Sequence, residues 1–118
     1  MKTTDAVAAL AALAQETRLA VFRLLVEQGA VGLSAGEIAE RIGIAPAALS
    51  FHLKELSHAR LVRSRQEGRY VFYSADFASM NRLLGFLTEN CCAADGGNCG
   101  PAACAPSTTR TTSRKAKA

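Results

Sequence analysis

No cysteine occurs before position 91 of this 118-residue chain, no histidine follows His58, and tryptophan is absent altogether. No apolar run approaches the roughly 18 residues that a bilayer crossing requires, and the start MKTTDAVAAL has neither the basic opening nor the apolar block of a secretory leader. The expected location is the cytoplasm, with no membrane partner, where thiols stay reduced. The sequence holds no internal repeat. Net charge is missing from most of it as well. All ten Asp and Glu lie in positions 1–104 beside ten of the fourteen Lys and Arg, so the formal +4 is carried by Arg110, Arg114, Lys115 and Lys117. Within the balanced body, Lys54, Arg60, Arg63, Arg65 and Arg69 stand against only Glu55 and Glu67, a local basic stretch of the kind that meets nucleic acid.

With 49% hydrophobic residues the chain can fill one core. Residues 4 to 28 read as two helices separated near Gln15-Glu16-Thr17, with Val7, Leu10 and Leu13 or Ala14 on one apolar stripe and Leu19, Phe22, Leu25 and Val26 on the next. Ser34 followed by Glu37 has capping-box spacing, and Gly43 closes that short helix. Pro46 then opens another, which places Leu49, Leu53 and Leu56 on one face and Ala47, Ser50 and Lys54 on the other. After Leu61 the period becomes alternating. LVRSRQ and RYVFYS flank Glu67-Gly68 and predict a β-hairpin, and Asp76 is placed to cap a last helix, FASMNRLLGFLTEN. Its stripe is Phe77, Met80, Leu84 and Leu87, with Leu83 and Phe86 beside it.

Two short helices joined by Gly43-Ile44-Ala45 and followed by a basic hairpin make a winged helix-turn-helix, in a mainly α (α+β) chain. Small residues such as Ala47 and Ala48 would let the second helix approach a major groove, where Ser50, His52 and Lys54 reach base edges or phosphates. Arg63, Arg65 and Arg69 on the hairpin would neutralise backbone phosphates, which supplies affinity but little sequence information.

The segment LSAGEIAERIGIAPAALSFHLKELSHARLVRSRQEGRYVFY closely resembles the ArsR/SmtB family of metal-responsive bacterial repressors, above all in SFHLKEL and QEGRY. The match runs from about Leu10 to Asn90. The resemblance implies a homodimer held by its first and last helices, with each recognition helix in one half of a palindromic double-stranded operator. The apolar stripes of those helices agree, since a monomer would leave them wet.

Two ligand patterns of that family are not met. The arsenic sensors of the best-known type carry Cys-x-Cys at the start of the helix before the recognition helix, where this chain has Ser34 and Gly36. The zinc sensors place Asp and His along the last helix, which here contains no histidine. All four thiols instead fall in ENCCAADGGNCGPAAC. Thiolates select soft ions, and arsenic(III) takes three sulfurs, whereas structural zinc favours spaced Cys-x-x-Cys pairs that do not occur. If the last helix stops near Asn90, Cys91 and Cys92 can turn to one side while Gly96 and Gly97 let the chain return Cys99. Cys91, Cys92 and Cys99 are the expected trio, with Cys104 as a substitute ligand or spectator. Glu89-Asn90-Cys91-Cys92 also resembles the ENCC motif of arsenic repressors whose site lies at the end of the last helix.

The expected organisation is a winged helix-turn-helix and dimerisation domain at 1–90, a cysteine-rich metalloid-binding segment at 91–104 and a disordered basic tail at 105–118. The expected function is a repressor released from its operator by As(III), with Sb(III) as a second inducer and no organic cofactor. Alternatives are a sensor of methylarsenite or of cadmium, lead or zinc, or a thiol redox switch. An enzyme is not expected. Thiol-dependent arsenate reduction would need a low-pKa cysteine and an oxyanion cradle, and no phosphate-type loop or basic residue adjoins Cys91.

Overall fold

The computed structural model describes residues 1–95, so Cys99, Cys104 and the tail at 105–118 lie outside the described residues. The elements run α1 (Thr3–Leu13), α2 (Glu16–Gln28), a 3-10 turn (Gly29–Val31), β1 (Leu33–Ser34), α3 (Ala35–Ile42), α4 (Pro46–His58), β2 (Val62–Glu67), β3 (Tyr70–Ala75), α5 (Phe77–Leu87) and a 3-10 turn (Ala93–Asp95). Residues Met1–Leu83 form one compact unit, and those from Leu84 onward belong to a second, so the boundary falls inside α5.

Local chemistry sets most of the ends. The Gln15 side chain accepts the Arg18 amide at 2.8 Å and starts α2 where the sequence predicts a break. Ser34 and Glu37 close a reciprocal capping box on α3, and Gly43, at φ 83°, ends it. Pro46 opens α4. Asp76 Oδ1 accepts the Ser79 amide at 3.0 Å and caps α5.

The sheet is antiparallel in the order β1-β3-β2, with Arg65 opposite Phe72 and Leu33 opposite Tyr73. Its two-residue hairpin loop holds Gly68 at φ 62°, the left-handed backbone that such tight turns require. Strand β1 and the preceding 3-10 turn are not predicted from sequence. At two residues, β1 is too short for an alternating pattern. Gly32 makes it possible, because at φ 72° a β-carbon there would collide with the Tyr73 carbonyl.

The first unit's core gathers Val21 and Leu25 of α2, Ile38 of α3, Leu49 and Leu56 of α4, and Leu61, all almost fully buried. On α1 the predicted stripe points the other way. Ala6, Ala9 and Ala12 face inward, while Val7 is 59% and Leu10 42% exposed. Alanine lets α1 sit close to α2, and close approach by a small side chain outweighs the larger apolar area of Val and Leu within one protomer. Leu84 and Leu87, which belong to the second unit, are also more than half exposed.

Candidate nucleic-acid interface and thiol segment

Helix α4 is fixed in rotation by Leu49, Leu53 and Leu56, which are buried at helical spacing. That leaves Ala47, Ser50, Phe51 and Lys54 on one exposed strip, with Ala48 exposed beside it. The structure thus brings the predicted Ala47, Ser50 and Lys54 together and adds Phe51. Its position four residues after Ala47 and three before Lys54 is a signal the sequence already contains.

His52 is placed differently from these three. It is half-buried, and its Nδ1 lies 3.4 Å from Arg18 Nη1 of α2. A guanidinium has no acceptor, so Nδ1 must accept and the ring proton sits on Nε2. Arg18 also donates from Nε to the Ala12 carbonyl at 2.7 Å, tying the end of α1 to the recognition helix. Among the described groups, His52 thus holds α4 against α2 with one nitrogen and has only Nε2–H left for an outside acceptor.

On the hairpin, Arg63 and Arg69 are exposed, and no side-chain hydrogen bond engages either among the described residues. Arg65 is engaged within the protein. Its Nε donates to Glu67 at 2.8 Å, Nη1 to the Ala30 carbonyl at 3.4 Å and Nη2 to the Val31 carbonyl at 3.2 Å. Its carbon centre lies 5.2 Å from the centroid of Phe72, its cross-strand neighbour. The structure thus gives Arg65, expected from the sequence to meet a phosphate, partners within the protein while leaving its side chain 42% exposed. It fastens the wing to the 3-10 turn, with its charge countered by Glu67 and its flat face covered by Phe72.

In the second unit, α5 stops at Leu87 and Thr88 turns its hydroxyl back to the Leu84 carbonyl at 2.9 Å. The Cys91 amide reaches the Thr88 carbonyl at 2.9 Å, and Asn90 and Cys92 both take left-handed backbone, at φ 60° and 62°. The helix thus ends before the vicinal cysteines. Cys91 is disulfide-bonded. Among the described residues no group of three or more His, Cys, Asp or Glu could hold a metal ion, and the predicted trio needs Cys99, which lies outside them.

A capped helix, a three-residue turn, a recognition helix with an open outer strip and a basic wing define a winged helix-turn-helix protein. Residues 13–65 match the helix-turn-helix domain family. The nodulation protein NolR of Rhizobium meliloti is 30% identical over 80 residues, which are 68% of this chain and 63% of NolR. The transcriptional activator HlyU of Vibrio cholerae is 33% identical over 93 residues, covering 79% of this chain and 83% of HlyU. Among solved structures, an ArsR-like transcriptional regulator from Rhodococcus sp. RHA1 superposes with TM-score 0.64 at 31% identity, covering 71% of this chain and 76% of its own. The chain belongs to the ArsR-like family of transcriptional regulators, whose members are not enzymes.

Proposed function

We propose that this chain represses transcription by binding an operator duplex as a homodimer, and that As(III) releases it by binding Cys91, Cys92 and Cys99. The observation that carries the reading is the end of α5 at Leu87, ahead of vicinal cysteines in a turn where Asn90 and Cys92 take left-handed backbone. A soft, three-coordinate ion fits such thiolates better than an oxygen-seeking one. Antimony(III) shares that preference. In unit one, Val7 and Leu10 supply uncovered apolar surface for a second copy.

Capture requires reduced sulfurs, and it must favour the dimer geometry that fits DNA poorly. Couplings of this kind weaken binding by roughly 5- to 150-fold. A second reading follows from the disulfide at Cys91, in which thiol oxidation rather than arsenite is the signal.

The test is fluorescence anisotropy of the reduced chain on duplex from its own upstream promoter, titrated with arsenite. Release should occur in the parent protein and in Cys104→Ser, and disappear in Cys91→Ser, Cys92→Ser and Cys99→Ser. Tight binding that ignores arsenite but responds to a peroxide would favour the redox reading. No binding to any duplex would sink the proposal.

A further inference from the structure

We infer that Phe51 determines operator specificity by packing its ring on the C5-methyl group of a thymine in each half-site. The inference rests on the proposed binding of duplex DNA and names what one side chain reads there.

Phe51 is 56% exposed although it is the largest apolar residue on the outer strip of α4. The inward anchors Leu49 and Leu53 flank it in sequence and fix the helix rotation, so the ring cannot turn into the core without displacing buried leucines. Its one ring contact among the described residues is an edge-on approach to His52, with centroids 5.6 Å apart and planes at 64°. His52 is itself held by Arg18, so the ring stands against a fixed neighbour rather than a mobile one.

Around it the strip is small or polar: Ala47, Ala48 and Ser50 before it and Lys54 after it. Small neighbours let the helix come close to a groove floor and leave the ring as its most protruding apolar group. A phenyl ring has no donor or acceptor for base edges. In the major groove the apolar group available to it is the thymine methyl. Ser50 and Lys54 on the same strip supply the polar and phosphate contacts that would hold the register.

The experiment replaces each thymine of the bound promoter duplex in turn with deoxyuridine, which removes only the methyl group. Dissociation constants are measured by anisotropy for the parent protein and for Phe51→Ala. In the parent, uracil at one position per half-site should weaken binding roughly 4-fold, the transfer value of one buried methyl. Phe51→Ala should bind thymine and uracil duplexes equally at that position. Replacing the same thymine–adenine pair by 5-methylcytosine–guanine should preserve more affinity than cytosine–guanine. Uracil tolerated at every position by the parent protein would overturn the inference while leaving DNA binding intact, and this arm needs no variant to fold. An uracil penalty that persists unchanged in Phe51→Ala would overturn it as well. Failure of the parent to bind any duplex would overturn both readings together.

Discussion

Glu37 shows how one short-range contact becomes a pH response. The Ser34 amide donates to its carboxylate at 3.0 Å and the Ser34 hydroxyl at 3.1 Å. These bonds, the amide's first and the hydroxyl's second, hold the carboxyl below the ordinary glutamate value of 4.5. Because the folded value is depressed, the contribution is complete above 4.5 and is lost as acid protonates the folded carboxylate. Glu37→Gln keeps the shape but does not titrate. Thermal unfolding followed as a function of pH should therefore fall less steeply below 4.5 in Glu37→Gln than in the parent. Equal slopes would show that the box contributes nothing through its charge.

At the scale of elements, β1 depends on Gly32 as much as on its own two residues. A β-carbon at that position meets the Tyr73 carbonyl, and φ 72° is strained for any other residue. Gly32→Ala should lower stability in urea by more than about 2 kcal/mol, through loss of the β1–β3 pairing. A change within a few tenths would mean that β1 is dispensable. The contrast with the other elements explains what the sequence reveals. The break at Gln15, the box on α3, Pro46 at the head of α4, the hairpin at Glu67-Gly68 and the Asp76 cap are all set by residues a few positions apart, so each leaves a local trace. The contacts that define the site are not local. Arg18 reaches His52 across 34 positions and Arg65 reaches Val31 across 34, and nothing near either arginine in sequence announces its partner. The face of α1 was hidden for another reason. Val7 and Leu10 make the more apolar stripe, but the alanines pack closer, and hydrophobicity alone does not distinguish a core face from one left for a second chain.

For the whole molecule, that outward stripe carries the dimer prediction. Val7→Glu with Leu10→Glu should raise the dissociation constant of the dimer by at least roughly a hundredfold, given the transfer value of burying Val and Leu in each protomer. Sedimentation equilibrium checks it, and an unchanged association would exclude α1 from the interface. Separation into monomers should also weaken operator binding, since two half-sites need two linked recognition helices. The anchoring of Arg65 has a different consequence, one that appears in ionic strength. Each phosphate neutralised on duplex DNA releases condensed counterions and adds about 0.9 to the slope of log affinity against log salt. If Lys54, Arg63 and Arg69 of each protomer make such contacts and Arg65 makes none, the slope is about −5, whereas counting Arg65 would bring it to about −7. Arg65→Gln should loosen the wing and weaken binding, yet leave the slope where it was, if the guanidinium spends its donors on Glu67 and the Ala30 and Val31 carbonyls rather than on a phosphate.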